Sequence, residues 1–519
     1  MHTNAPPGEA PATPASAPTG GGEPSNPLRD DPALCARLAR ELRQIVGAAH
    51  LVDAPEELLA YEYDATIDRA QPDLVVLPAS TEEVAAVLRA CAAAGAPVVP
   101  RGSGTGLAGG ALAVIGGVVV ATVRMTRIRE LDAEERLAVV EPGVINLTLQ
   151  EAAAEHGLRY APDPSSQRIC SIGGNIATNA GGPHTLAHGS TVNHVLGVEL
   201  VLPDGRVTWL GGRQLDAPGI DLRALVVGSE GTLGIVTAAC VRLLPQPEAV
   251  RTMLAVFDTV EGASEAVSAI VGRGVIPVAL EMLDAEIIRA VESQVSLGYP
   301  LDAGAVLLVE VEGLAEQVEE DAAAVLAALE GAGTREVRTA HEEAERERLW
   351  EGRKAGIGAL GALSPNFYLL DGVVPRTKLP TVMRQVLALS ERYGFRCANI
   401  FHAGDGNLHP NIMFDELEPG ASARVLELGG EILRVCVDAG GSITGEHGIG
   451  LEKRSYVEWI FDPSDLDAMR RVRDAFDASS GGNVRFNPCK LLPVAHGCAQ
   501  GHAGEASDTG SAQAPGIYL

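Results

Sequence analysis

Four side chains in two separated stretches of this sequence carry the ingredients of acid–base and metal chemistry. His402 and His409 bracket the run HAGDGNLH, and Glu446 and His447 stand together in TGEHGIG. Asp405-Gly406 is a two-residue hairpin signal, because a type I′ turn needs positive φ at both central positions. A hairpin centred on that pair sets His402 directly opposite His409 on one face, with Cβ atoms about 4.5–5.5 Å apart. Two imidazoles at that spacing can chelate, and a carboxylate such as Glu446 completes a His₂Glu set with open coordination positions. The same residues also read as two surface histidines beside a glycine-rich turn, and the local sequence leaves both readings open.

Strands and helices have to position these groups. Residues 396–414 are β-rich, with helical patterns before them at 378–393 and after them at 421–439 and 465–478. Earlier strands at 252–257, 278–283, 305–312, 336–340 and 367–374 alternate with helical patterns, which reads as a ferredoxin-like α+β domain. A break falls at 245–248. Before it, a helix at 32–46 leads to a short strand at 73–78. Ser80-Thr-Glu-Glu83 reads as a capping box for a helix ending near Gly95. A strand at 97–100 and β-rich stretches at 117–125 and 137–143 follow, and Asn146 reads as the cap of a helix that stops at Gly157. The expected organisation is a Pro/Ala/Gly-rich disordered extension at 1–28, an α+β domain at 29–248, a second domain at 249–493 with a C-terminal helical segment, and a loose tail at 494–519. No internal repeat is present.

Three glycine-rich segments lie in the first domain. PRGSGTGLAGG contains a literal GxGxxG at Gly104, Gly106 and Gly109. The dinucleotide fingerprint requires a helix directly after the glycines, whereas this chain runs into an apolar strand at 118–123. A Rossmann site for NAD is therefore disfavoured. Successive small residues still expose backbone N–H groups as an anion nest, to which Arg101 adds charge; a flexible glycine loop is the plainer alternative. PDPSS (162–166) with SIGGNI (171–176) and AGG (180–182), then GSEGTLG (228–234), place small residues where a backbone must approach a ligand closely.

Composition narrows the partners. A net charge of −28 disfavours nucleic acid, which needs a basic face. No apolar run reaches the roughly 20 residues of a membrane span, and the first 27 residues, with seven prolines, lack the basic and apolar regions of a secretion signal. Eight cysteines (35, 91, 170, 240, 397, 436, 489, 498) show no CxxC spacing, which argues against a disulfide framework and an iron–sulfur cluster. A reduced cytoplasmic setting is expected.

The motifs PRGSGTGLAGGA, APDPSSQ, CSIGGNIATNAGG, GSEGTLG, LEMLD, EGRK, FHAGDGNLHP and GSITGEHGIG, in that order, resemble the vanillyl-alcohol-oxidase (PCMH-type) flavoprotein family in its D-2-hydroxyacid dehydrogenase branch. The likeness covers roughly residues 53–493 and is closest to the FAD-binding catalytic subunits of bacterial glycolate oxidases, also called glycolate dehydrogenases. The resemblance implies an α+β fold: a two-subdomain PCMH-type FAD-binding domain followed by an FAD-linked oxidase C-terminal domain that caps the substrate. It implies FAD contacts from Arg101, Gly102, Ser103, Gly104, Thr105, Gly106 and Gly109, with the pyrophosphate on that loop. Further contacts are implied from Pro162, Asp163, Ser165, Gly173, Gly174, Asn175, Asn179 and Gly182, from Gly231, Thr232 and Ile235, and from Asn487. In related D-2-hydroxyglutarate dehydrogenases the positions matching His402, His409 and Glu446 hold a divalent metal, usually zinc; the position matching His447 is the proposed base, and Arg353 would bind the substrate carboxylate.

That chemistry explains the residue types. Oxidising a 2-hydroxyacid removes the hydroxyl proton while the C2 hydride moves to flavin N5; a metal lowers the alcohol's pKa, a histidine takes the proton, and a guanidinium fork matches a carboxylate. For Arg353 an exposed helix charge is the plainer reading. Relatives that act on dicarboxylates carry Lys two residues before the position of Asp371, where this chain has Leu369. A second substrate carboxylate would be left unpaired, so a small monocarboxylate is expected, glycolate or D-lactate. No His stands near Thr105 for a covalent flavin link, so noncovalent FAD is expected. The usual Asn-Pro-Gly-Lys reads Asn487-Pro-Cys489-Lys490, which puts the turn geometry there in question. The branch implies a second flavoprotein-like subunit and an iron–sulfur subunit, quinone as electron sink, and only indirect contact with the inner face of the membrane. A stand-alone D-lactate or other D-2-hydroxyacid dehydrogenase is the alternative, and a non-catalytic FAD-binding scaffold a further one.

Overall fold

Helix Pro32–Val46 begins on Asp31, whose carboxylate accepts from the Ala33 and Leu34 N–H groups, with Pro32 preset for the first turn. Leu38, Ala39, Leu42 and Val46 form its buried stripe. Helix Thr81–Ala94 starts on Ser80, which accepts from Glu83 N, and ends on Gly95 in the left-handed conformation. Both helices share one core with the short strands Leu74–Val76, Val98–Arg101 and Val118–Ala121. The computed structural model describes residues 25–215, 218–477 and 485–493. The expected tail 494–519 lies outside the described residues. So does all of the expected extension except 25–28, which enters helix Pro27–Asp30.

The first domain contains two sheets. One is mixed: Val118–Ala121 lies parallel to both Leu74–Val76 and Val98–Arg101, and Leu51–Val52 pairs antiparallel at the edge. The other is an antiparallel five-stranded sheet in the order Ile128–Asp132, Leu137–Val140, Ile235–Arg242, Val195–Val201, Val207–Gly211. No helix intervenes between the glycine run and strand Val118–Ala121, which bears out the rejection of a Rossmann loop. The Asn146 expectation fails. Ile145 occupies the cap position, and Asn146 is the first residue of helix Asn146–Ala154. Its buried side chain instead donates to Pro162 O and Asn175 Oδ1, because a tertiary partner outcompetes the local cap.

The second domain is built on a nine-stranded sheet whose pairings are antiparallel. Its centre is apolar on both faces, and helices pack on each side. Strand Ala279–Asp284 lies between Ala305–Gly313 and Arg396–His402. The hairpin register differs from expectation. His402 pairs with Asn407 rather than His409, so four residues form the connection, and of the pair 405–406 only Gly406 has positive φ. The turn is thus not type I′. The partner has moved by two positions, and a two-residue shift preserves the face of every side chain where a one-residue slip would invert it. His409 remains on the face of His402, as its diagonal neighbour.

Candidate functional site

His402 ends the fully buried part of strand Arg396–His402, and Glu281 lies directly opposite it on strand Ala279–Asp284. Opposed residues share a face, so the Glu281 carboxylate meets His402 Nδ1 at 2.7 and 2.9 Å. His402 Nε2 is thereby turned to Glu446 Oε1, 3.2 Å away. His409 is anchored in the same way: Nδ1 donates to Leu370 O at 3.2 Å, and Nε2 lies 3.1 Å from the same Glu446 oxygen. The two rings meet edge to face with centroids 5.1 Å apart. Ligand atoms of His402, His409 and Glu446 all lie within 4.8 Å of one another. Each imidazole has its distal nitrogen committed to an acceptor, the arrangement that fixes tautomer and orientation in metal-ligating histidines. The donor set of two Nε2 atoms and one carboxylate suits a divalent cation.

Glu446 and His447 sit in a loop organised by one buried carboxylate. Asp371 accepts from the Thr444 hydroxyl, from the backbone N–H of Gly445 (3.1 Å), Glu446 and His447 (3.0 Å), and from Lys453 Nζ at 3.1 Å. Burial alone would raise Asp371; its interactions with His447 and with Lys453 hold it well below the ordinary carboxylate range. His447 stacks on His409 with centroids 5.0 Å apart and planes 7° from parallel. Its Nδ1 is buried without a hydrogen-bond partner and lies 3.9 Å from Asp371. Burial pushes the imidazole down to about 4, against the upward pull of Asp371 and with further lowering by His409 and Lys453, so the ring is neutral at neutral pH. Asp371, His409 and His447 also come within metal-binding reach. The oxygens of Asp371 and the Nδ1 of His409 are already engaged, so the first trio is the better chelate.

Burial would lower His402, but the Glu281 and Glu446 carboxylates overcome it and raise the imidazole well above its usual value. Glu446 is depressed well below its own, with His402 the leading cause against burial. Arg353 completes the row. Helix Glu343–Leu360 presses it toward the sheet because Gly352 and Gly356 leave no Cβ; one would fall 2.2 Å from Tyr299 Oη and the other 2.3 Å from Ile400 Cδ1. Arg353 is buried, its Nε donates to Glu281 at 2.6 Å, and its two Nη atoms make no hydrogen bond among the described residues. It is therefore not the exposed helix charge of the plainer reading. A cavity of about 190 Å³ opens beside Glu446, between Gly181, Thr185 and Ser190 of the first domain and Val373, Asp405 and Asn407 of the second.

The glycine segments converge at the domain junction. Gly102 packs on Ser171, where a Cβ would lie 2.6 Å from the hydroxyl, and Gly231 packs on Pro100, so the three segments form one surface. Arg101 folds over Gly104, donates one Nη to Tyr63 O at 2.8 Å, and leaves Nη1 buried without a partner. Asp64 Oδ2 and Asn487 Oδ1 nearby are equally unpartnered, and a Cβ on Gly106 would meet nothing within 4 Å. Open space beside the unpaired Arg101 Nη1 donor fits an anionic group such as a cofactor phosphate. Asp163 is engaged with His184 Nδ1 at 2.5 Å. Asn179, at φ 53, terminates helix Ile172–Thr178 and accepts from Ser190 and Val192 N, so its side chain is used structurally. Cys489 adopts φ 66, the left-handed conformation for which glycine is the natural residue. Cys35, Cys91, Cys170, Cys240, Cys397 and Cys436 are free.

Glu281 and Asp371 were not assigned from the sequence, although each had a signal. Both are acidic residues flanked by apolar ones, in ALEMLD and YLLDG, and a carboxylate buried in such a run needs a partner.

Residues 72–211 match the model of an FAD binding domain, and residues 246–491 match that of the C-terminal domain of FAD linked oxidases. The glycolate oxidase subunit GlcD of Escherichia coli K12 is 47% identical over 460 residues, covering 88% of this chain and 91% of that one. A D-lactate dehydrogenase of Archaeoglobus fulgidus is 35% identical over 439 residues, covering 83% and 95%. Among solved structures, 4-ethylphenol oxidase from Gulosibacter chungangensis superposes with a TM-score of 0.73 at 19% identity (89% of this chain, 98% of that one), and p-cresol methylhydroxylase with 0.70 at 16% (88% and 98%). The PCMH-type α+β fold expected from the sequence is the fold found.

Proposed function

This chain belongs to the FAD-linked oxidases, and from that premise we propose that it oxidises a small 2-hydroxyacid, glycolate to glyoxylate and D-lactate to pyruvate, with help from a divalent metal. The observation that carries the proposal is the buried His402–His409–Glu446 cluster, each histidine anchored through Nδ1, beside a neutral His447 with an open nitrogen. When bound, FAD supplies the two-electron acceptor and a divalent cation, zinc by its donor set, supplies a Lewis acid.

The chain's own groups do the rest. His447 accepts the hydroxyl proton; burial keeps the ring neutral and ready for it. Arg353 offers its Nη fork to the substrate carboxylate while Glu281 fixes its angle through Nε. Asp371 holds three successive N–H groups of the loop, so Glu446 and His447 keep fixed positions through turnover. Leu369, half-buried two residues before Asp371, offers no cation for a second carboxylate.

The relatives named as subunits support work within a complex, where a second flavoprotein-like subunit and an iron–sulfur subunit carry electrons toward quinone. No helix among the described residues is long and apolar enough to cross a membrane, so membrane contact would come through those partners. The D-lactate dehydrogenase relatives favour a second reading, a stand-alone enzyme. Co-purification of both partner subunits with the native chain supports the complex, and their absence supports the alternative. Turnover with a soluble acceptor, together with metal analysis, tests the chemistry. Glycolate and D-lactate should be oxidised and D-2-hydroxyglutarate should be a poor substrate. Equal efficiency on D-2-hydroxyglutarate would overturn the role given to Leu369, and a chain active without bound metal would remove the Lewis acid.

A further inference from the structure

The loop that carries Glu446 and His447 is held at its other end by a different domain. Ile449 N and Gly450 N both donate to the carboxylate of Glu230, each at 2.6 Å. Leu451 N and Glu452 N donate to Ala108 O at 2.8 and 3.3 Å. Glu230 is the third residue of GSEGTLG, and Ala108 lies inside the PRGSGTGLAGG cradle. Two of the three glycine segments therefore hydrogen-bond directly to the loop bearing a metal ligand and the base. The fit is close: a Cβ on Gly450 would fall 1.9 Å from Ala108 O, and one on Gly448 would fall 2.8 Å from Glu230 Oε1.

Glu230 is itself constrained. It has a φ of 51, a left-handed conformation that a non-glycine residue keeps only when its surroundings over-determine it. Its N–H donates to Ala177 O, and its carbonyl accepts from Asn487 Nδ2, both at 2.7 Å. Backbone and side chain are thus both clamped, one by the cofactor segments and the other by the metal loop. Asp371 grips the first half of the loop from within the second domain, and Glu230 grips the second half from the first.

We propose that Glu230 is a positioning residue that ties the flavin-binding surface to the metal loop, so that occupancy of the cradle orders Glu446 and His447. The proposal rests on reading 228–234 as part of the FAD site. A ligand that immobilises the backbone around Glu230 leaves fewer arrangements for the amides bonded to its carboxylate. By linkage, an ordered metal loop strengthens FAD binding by the same factor.

Hydrogen–deuterium exchange on the full chain, FAD-loaded and FAD-stripped, tests this without reference to turnover. Peptides covering 444–452 should exchange more slowly with FAD bound, by about 5- to 150-fold, the usual range for coupled sites. Glu230→Gln keeps the volume but presents an amide to one of the two N–H groups; the FAD-dependent difference at 444–452 should shrink while strand Arg396–His402 stays protected. If that variant does not fold, Glu230→Asp, which withdraws the carboxylate by one methylene, serves in its place. Protection of 228–234 by FAD with no change at 444–452 would overturn the coupling and leave the cofactor reading intact. Protection of neither segment would defeat that reading and the proposal together. An undiminished FAD effect in the variant would show that Ala108 alone transmits it and remove Glu230 from the role.

Discussion

The metal loop and the glycine cradle lie side by side, yet their polar groups are in opposite states. In the loop, Asp371 accepts from a hydroxyl, three backbone N–H groups and a lysine, and the distal nitrogens of His402 and His409 are both committed. In the cradle, Arg101 Nη1, Asp64 Oδ2 and Asn487 Oδ1 are buried without partners. Buried polar groups are nearly always hydrogen-bonded, so the open atoms of the cradle suit a surface that a ligand completes, whereas most polar groups of the loop are met by the protein. The unpartnered atoms on the loop side are as informative: His447 Nδ1 and Asn407 Oδ1. The one ring there with spare capacity is the ring assigned to the proton.

Substitutions in the two regions should therefore fail differently. The largest effect is expected for His447→Ala: flavin reduction should fall by about 10²–10⁴-fold with FAD still bound, and stopped-flow absorbance with a cofactor stoichiometry measures both. His402→Ala should lose its metal altogether, as read by elemental analysis, and unchanged metal content would dismiss the chelate. Glu281→Gln leaves the ligands in place but withdraws the carboxylate that orients His402 and Arg353; metal affinity should drop by about 10- to 100-fold, measured by chelator competition. On the cradle side, Arg101→Ala should weaken FAD by about 10- to 100-fold, the cost of a lost charged hydrogen bond, in a fluorescence titration.

The smallest effect concerns the ionic contact between the domains. His184 bridges Asp163 to Glu310, and Glu310 also accepts from Arg346 and from Trp350 Nε1. Burial would lower His184, but the two carboxylates raise it to about 10. A raised folded-state value means that stabilisation is complete below the ordinary histidine pKa and fades as pH climbs toward 10. The melting temperature of the native chain should fall across that window by about 2–4 °C more than that of His184→Gln. Parallel pH profiles would show that the bridge contributes nothing.

Much of this was legible because the chemistry is local. The glycine runs, the two histidines and the Glu446-His447 pair announce themselves by residue type and spacing, and the strand at 336–340 begins and ends where its pattern does. The hairpin register was not legible. A glycine after an aspartate suggests a two-residue turn, while the strands pair around a four-residue connection; the two histidines share a face only because the difference was an even number of positions. Glu281 was hidden for another reason. Its partner His402 is 121 residues away and becomes its neighbour only when two strands pair. The cap expected at Asn146 failed because its amide finds Pro162 and Asn175 inside the fold. Local rules place donors and acceptors, and tertiary pairing decides which of them meet.

One measurement bears most directly on the account: anaerobic mixing of the FAD- and metal-loaded chain with glycolate, D-lactate and L-lactate in turn, following flavin absorbance. The expected result is bleaching by glycolate and D-lactate and none by L-lactate, which places the reductive half-reaction and its stereochemistry in this chain. A flavin that stays oxidised with all three, metal present, would contradict it and leave a chain that holds FAD without using the site beside it.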